Sequence, residues 1–416
     1  MTLAVDLYGI RIGHIAGDNP LTFGFTETDD AVRQFGIGSR VLSMAVPLAT
    51  RPRRSDAARR RNFFAELLPE GQIRAAMFAA AGIRRSDDVV AFLRRYGRDV
   101  AGALQIWDLD DPTEPKPGSA VPVDDQRVRD LLEGYLQTPL ANVPEMGRTS
   151  LGGIQPKIVL AREAGTWLQA VDGYPSTHIL KPAIAQGLAP QSMIFDEEYG
   201  TRVTQSAGIA AVSANVERFD GLAALVVERY DRNTSYTQGR VHQEDANQML
   251  GASGNQKYQE LGGRVSLRRI ADSLESGGAA AELKALAEQV ILACAIGNLD
   301  LHAKNVSVLH LLDGSVRLAP AYDIVPMTHL PKLDGRLALA VGGVYAHAEL
   351  RQADIVKELH AWRLRDAQNL VSDTLGNLHD AMRSELPLPD ASPGVRENML
   401  RITQNLIAGK SAGEGR

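Results

Sequence analysis

Apolar residues recur along this chain with two different periods. Period-two or continuous apolar stretches at residues 10–15, 22–25 and 41–48 predict strands in an N-terminal α/β unit. Residues 158–160, 179–181 and 222–230 predict three more strands. Spacings of three and four predict helices at 72–81, 86–96 (capped by Ser86), 121–135, 195–207, 243–251, 265–274 and 279–297. After residue 323 the pattern is almost wholly helical, at 348–361, 363–375 and 394–409, with 411–416 as a frayed tail. Short apolar runs at 306–311 and 316–318 flank Asp313-Gly314, a hairpin signal because both residues tolerate the positive φ of a tight primed turn. The stretch 110–118 is polar and Pro-containing and suits a linker or surface loop.

A length of 416 residues implies two or three domains. A net charge of -5 argues against a general nucleic-acid binder, despite the cluster Arg51, Arg53, Arg54, Arg59, Arg60 and Arg61. That cluster suits a solvated loop and helix start, or else a site for an acidic partner or phosphate backbone. One cysteine, Cys294, excludes an intrachain disulfide, predicts a reducing compartment and falls in an apolar helix as core filler. The start of the chain lacks a signal-peptide pattern, no apolar run is long enough for a bilayer, and zinc spacing is absent.

The chemistry concentrates at Asp300-Leu-His-Ala-Lys-Asn305. An Asp five residues before an Asn is the spacing with which protein kinases place a proton acceptor and a metal-holding amide. The hairpin at 306–318 then returns the chain to Ala321-Tyr322-Asp323, so three oxygen-bearing side chains can meet around a hard cation. The same residues also suit a polar helix–hairpin corner that satisfies turn backbone. Upstream, Ser150-Leu-Gly-Gly-Ile-Gln-Pro-Lys157 is a glycine-containing loop feeding a strand, able to approach phosphate closely or simply to turn. It is neither a Walker A loop nor a G-x-G-x-x-G loop. Lys181 ends a strand, and Asp196, Glu197 and Glu198 open the next helix, where one could pair with Lys181 or all could complement the helix N-terminus.

Taken together, 150–157, Thr177-His-Ile-Leu-Lys181, Val227-Glu-Arg-Tyr-Asp-Arg232, Gln243-Glu-Asp245, 300–305 and 321–323 resemble the HipA family of bacterial serine/threonine kinases, the toxin half of HipA–HipB toxin–antitoxin systems. Leu67-Leu-Pro-Glu-Gly71 and 96–102 match that family's N-terminal region, and the resemblance runs from about residue 8 to about 375. It implies an α+β, two-lobed protein-kinase-like fold: an N-terminal subdomain at 1–110, an N-lobe at 111–235 and a mostly helical C-lobe at 236–410. It implies ATP and Mg²⁺, with Gly152, Gly153, Ile154, Gln155 and Lys157 covering the phosphates and Lys181 contacting them. The backbone of Glu228, Arg229 and Tyr230 would hold adenine, and His302, Lys304 and Tyr322 would line the nucleotide. Asp300 would be the base, Asn305 and Asp323 the metal ligands, and Ser150 the autophosphorylated residue, with Thr149 beside it as the other candidate.

The partners implied are a HipB-like DNA-binding antitoxin and a protein substrate such as an aminoacyl-tRNA synthetase. DNA would be met only through or beside the antitoxin, with no membrane and a cytoplasmic location. A small-molecule or lipid phosphotransferase, or a corepressor partner of the antitoxin, are the competing readings. The chain departs from the family pattern at Pro156, which removes a loop N–H, and at Leu299 and Leu301, where smaller or more polar neighbours are expected.

Overall fold

The computed structural model describes residues 2–17, 23–49, 56–144 and 146–415. The chain begins with β1 (Thr2–Leu7), β2 (Ile10–Ala16), β3 (Gly24–Glu27), α1 (Asp29–Phe35), α2 (Ala57–Ala65), α3 (Gly71–Ala80), α4 (Val89–Tyr96) and β4 (Leu104–Asp108). The antiparallel sheet runs β3-β2-β1-β4. Tyr8 and Gly9 both take positive φ between β1 and β2, the conformation a two-residue hairpin needs. Leu3, Val5, Leu7, Ile12 and Ile15 meet Phe63, Phe64 and Phe92 in a core that continues into Leu151 and Val159 of the next unit.

The middle of the chain supplies β5 (Ser119–Val123), α5 (Asp125–Glu133), β6 (Ile158–Glu163), β7 (Thr166–Val171), β8 (His178–Pro182), α6 (Met193–Ser206), β9 (Ala214–Phe219) and β10 (Leu222–Glu228). These strands form one antiparallel sheet in the order β5-β7-β6-β8-β10-β9. The rest is β11 (His242–Asp245), α7 (Ala246–Met249), α8 (Leu267–Ser276), α9 (Leu283–Ile296), β12 (Ser307–His310), β13 (Val316–Leu318), β14 (Arg336–Val341), β15 (Val344–Ala346), α10 (Gln352–Ala361), α11 (Ala367–Ser384) and α12 (Val395–Ile407). Helix α9 is buried on nearly every side and forms the axis of the largest core, with α11 and α12 against it. Cys294 is part of that core, its thiol pushed up to about 12 by burial.

Several sequence expectations need correction, each because a longer-range partner or a stronger cap takes over. Residues 41–48 form no strand. Ser43 Oγ and Met44 N donate to the buried Glu244 carboxylate, and Leu48 N closes a loop onto Ser39 O. Residues 119–123 pair with β7, so the predicted helix starts only after Asp124, which caps Arg127 N. Residues 242–245 pair with β12, and Asp245 with Gln248 then forms a capping box for the single turn of α7. Asp88, not Ser86, caps α4. In the β12–β13 connection only Gly314, not Asp313, takes positive φ. The tail is held rather than frayed: Ala412 is fully buried and donates to Leu350 O, and Arg401 donates to Ala412 O. Thr22 of the second predicted strand, Arg51, Arg53 and Arg54 of the basic cluster, and Arg416 lie outside the described residues. Arg59, Arg60 and Arg61 stand on α2, with Arg60 buried.

The N-terminal unit meets the C-terminal half through a buried histidine. His242 Nε2 donates to Leu42 O at 2.8 Å, and its ring lies 5.5 Å from that of His310 across the β11–β12 register. Burial, reinforced by His310, lowers the His242 pKa to about 3. The folded protein therefore holds a neutral imidazole where the unfolded chain takes up a proton below about 6.5, so stability is lost as pH falls from there toward 3. We expect urea midpoints to drop between about pH 7 and pH 5, with His242 contributing at most about 1.4 kcal/mol per pH unit, and His242→Gln to flatten that slope. An identical slope in the variant would contradict the assignment.

Candidate active site

The end of α9 builds the centre of the site. Gly297 takes φ 72°, and the N–H groups of Gly297 and Asn298 both close onto Ala293 O, a left-handed stop that an L side chain resists. The freed Asn298 side chain works in two directions: its Oδ1 accepts from Asp300 N at 2.9 Å, and its Nδ2 donates to Asp323 O at 3.1 Å. The loop then tightens on Asp300 O, which accepts from His302 N at 2.7 Å and from Asn305 Nδ2 at 2.9 Å. Leu299 and Leu301, the unexpected apolar neighbours of Asp300, anchor this loop in the C-terminal core. The β12–β13 hairpin delivers Tyr322, whose hydroxyl donates to Lys304 O, and Asp323, which sits at φ 50°.

From the opposite wall, β8 presents Lys181. Its ammonium bonds Glu197 Oε1 at 2.8 Å and also contacts Asp323 Oδ1. Of the three acids opening α6, only Glu197 pairs with Lys181; Asp196 accepts from Ser392, and Glu198 holds Arg202. Burial disfavours the Lys181 charge, but Asp323 and Glu197 outweigh it and raise the pKa above the ordinary lysine range. Asp323 is correspondingly held below the carboxylate range: burial opposes this, and Lys181 and Lys157 outweigh it.

A cavity of about 230 Å³ separates the walls and is lined by every sequence-predicted site residue from Gly152 to Asp323, with Ser150 left behind it. Burial by the cleft walls pushes the Asp300 carboxyl up to about 6; Lys257 opposes this and Asp323 adds to it. Half of that side chain (49 %) still opens to solvent. Lys157 folds back to donate to Gly152 O, filling the space where Gly153, at φ 97°, would carry a Cβ. At the far end Tyr230 and Tyr322 stack with centroids 5.4 Å apart, and Tyr230 donates to Gln243 Oε1. The N–H groups of Glu228 and Arg229 are already taken by Ser213 O and Thr177 O, and the Arg229 guanidinium is buried on Asp231. Ser150 is fully buried, its Oγ donating to Leu67 O at 2.8 Å, and Thr149 is buried against Asp99.

Four contributors were not singled out from sequence for this site: Asn298, Glu66, Glu70 and the pair Lys257–Tyr258. Asn298 directly follows the predicted helix 279–297, and nothing in the local pattern says where its amide points. Glu66 adjoins the Leu67–Gly71 motif and Glu70 lies within it, but both reach the cleft from far away in sequence.

The fold and cleft define a two-lobed, kinase-like α+β protein with an N-terminal extension. Its residues 3–107 match the HipA N-terminal domain and 149–384 the HipA-like C-terminal domain. The chain therefore belongs to the HipA family. It is 33 % identical to the protein Y4mE of Sinorhizobium fredii over 73 % of each chain. It is 26 % identical to the serine/threonine-protein kinase toxin HipA of Shewanella oneidensis over 67 % of this chain and 66 % of that protein. Its fold matches Shewanella oneidensis HipA, solved with HipB and operator DNA, with a TM-score of 0.77 and 21 % identity over 98 % of this chain and 96 % of that one.

The close packing of α6 on the Asp323 segment is testable at Gly200. A Cβ there would stand 2.4 Å from Ile324 O, against backbone that cannot swing aside. A helix-interior Gly→Ala change ordinarily gains up to about 1 kcal/mol. Here Gly200→Ala should instead destabilise by about 1–3 kcal/mol, read as a lower Tm. A Tm at or above wild type would contradict this packing.

Proposed function

We propose that this chain is an ATP-dependent protein serine/threonine kinase, the toxin of a toxin–antitoxin pair, that also phosphorylates itself at Ser150. The observation that carries the proposal is the meeting of Asp300, Asn305, Asp323 and Lys181 at one cleft beneath the glycine-containing loop. Phosphoryl transfer asks little covalent work of a protein; it asks for positioning and for neutralised charge on the phosphoryl oxygens. Lys181, fixed by two carboxylates, brings a permanent cation to the phosphate side. Asp300, on a loop tied down by Asn298, His302 and Asn305, accepts the substrate hydroxyl's proton and orients it for attack.

Asn305 and Asp323 would hold Mg²⁺, which supplies charge neutralisation at the phosphates. The donor set fits: an amide and a carboxylate are hard oxygen ligands, and no cluster of three His, Cys, Asp or Glu among the described residues offers a dedicated metal cage. Mg²⁺ characteristically combines one or two carboxylates with substrate phosphates. Tyr230 and Tyr322 suit the nucleotide base, and of the 228–230 backbone only the carbonyls and the Tyr230 N–H remain for it, because the Glu228 and Arg229 N–H groups are taken.

Autophosphorylation has a steric consequence. A phosphate on Ser150 brings about two negative charges. These cannot stay buried against the Leu67 carbonyl, itself an acceptor, so the modified segment must leave its seat and take the glycine-containing loop with it. Because the similar Shewanella protein was solved with HipB and operator DNA, a HipB-like antitoxin is the partner we propose, with DNA met through it. An aminoacyl-tRNA synthetase is the proposed substrate class, on the family resemblance.

Incubation with γ-labelled ATP and a cell extract tests the reading. We expect label on a protein band and on the chain itself, with Ser150 rather than Thr149 recovered as the phosphosite. Asp300→Ala should slow transfer by about 10²–10⁴-fold while ATP binding persists. Wild-type turnover in that variant, or label only in small molecules, would refute the proposal.

A further inference from the structure

The N-terminal unit reaches into the cleft at one place. Where α2 ends and α3 begins, the chain runs Glu66-Leu-Leu-Pro-Glu70, and both acids point at Lys304 of the 300–305 loop. Lys304 Nζ lies 2.8 Å from Glu66 Oε2, 3.3 Å from Glu66 O and 3.4 Å from Glu70 Oε1, with Asp245 Oδ2 at 3.9 Å. Glu66 is itself fixed, accepting from Gly254 N at 2.8 Å and from Asn247 Nδ2 at 3.1 Å. Glu70 Oε2 accepts from Lys257 Nζ at 2.8 Å, while its buried Oε1 has no hydrogen bond besides the Lys304 ion pair. A side-chain carbon at Gly152 would come within 3.8 Å of Lys304 Nζ, so the ammonium stands directly against the glycine-containing loop.

A lysine has four rotatable bonds, and alone it would sample many positions in a cleft of this size. Three carboxylates from two separate parts of the chain leave this one a single seat, with only 8 % of its side chain exposed. We infer that Glu66, assisted by Glu70, is a positioning residue that seats the Lys304 ammonium at the phosphate end of the cleft, so that the N-terminal unit completes the transfer site. This rests on the kinase reading above. It assigns a role to the Leu67–Gly71 motif: Pro69 and the turn into α3 space the two acids so that both reach one ammonium.

The test is a double-mutant cycle in the full chain with Glu66→Gln, Lys304→Met and the double variant, reading the rate of phosphate transfer from γ-labelled MgATP and the Kd for MgATP. Glu66→Gln should lower the rate constant about tenfold or more with less than about threefold change in Kd, and Glu66→Asp should recover part of it. The double variant should be no slower than Lys304→Met alone, because Glu66 acts only through Lys304. Multiplicative losses, or a full rate in Glu66→Gln, overturn the inference. If Glu66→Gln does not fold, judged by its melting curve, Glu70→Gln with Lys304→Met runs the same cycle.

A readout independent of turnover separates this inference from the kinase reading. Reductive methylation followed by mass spectrometry, at one fixed pH, should modify Lys304 severalfold faster in Glu66→Gln than in wild type, with Lys181 unchanged. Equal Lys304 labelling overturns the inference whatever the transfer assay shows. Faster labelling in a protein whose wild type transfers no phosphate upholds the seating of Lys304 and rejects the kinase reading.

Discussion

The Lys181 ammonium, buried between Glu197 and Asp323, is the contact on which the cleft depends. The consecutive elements β8 and α6 meet there with the segment after the β12–β13 hairpin, 142 residues further along the chain. Removing an ammonium and two carboxylates from water is costly, and their mutual attraction offsets that cost only while all three hold their places. Losing one partner would strand a buried charge. The neighbouring packing reads as a response to that demand. Gly200 lets α6 approach Ile324 without a Cβ between them, and Asn298 holds the Asp323 carbonyl from the other side. Asp323 accepts a left-handed φ, a conformation of modest cost that aspartate tolerates better than most residues. Each device costs local stability and serves to fix one carboxylate.

How much of this was legible in the sequence depended on distance along the chain. The spacing of Asp300 and Asn305, the strand lysine and the hairpin back to Asp323 are local patterns, and the structure gathers their side chains around one cleft. The elements misread were those whose hydrogen bonds go elsewhere. Residues 41–48 carry a strand's apolar content, but their donors are consumed by Glu244, about two hundred positions away. Residues 242–245 looked helical because β-pairing with 307–310 leaves no periodic trace in so short a run. Asn298 follows a predicted helix, but composition does not say where an amide points, so its link between the Asp300 and Asp323 segments left no trace. Glu66 and Lys304 stand 238 residues apart, and no periodicity relates them.

A second buried charge cluster explains why the glycine-containing loop is seated as it is. Asp99, fully buried, bonds Arg232 at 2.9 Å, Arg240 at 3.3 Å and Ser176 Oγ at 2.6 Å. Asp231 completes the set through Arg229 and Gly102 N. Arg229, Asp231 and Arg232 directly follow β10, so the segment between β10 and β11 is clamped by charge rather than left as a free linker. The Asp99 main chain reaches the other way: its N–H donates to Arg148 O and its carbonyl accepts from Ser150 N, and Asp99 Oδ2 takes the Thr149 hydroxyl. One residue from the N-terminal unit, Asp99, thus braces both that segment and the root of the loop. The loop is anchored at Arg148, Thr149 and Ser150 and passes over the cleft from there through Gly152 and Gly153. A Cβ at Gly152 would meet only the end of Lys304, and one at Gly153 only the end of Lys157, so no backbone packs against either glycine on that side. The charge cluster thus fixes where the loop starts, and the two lysines stand beneath its glycines.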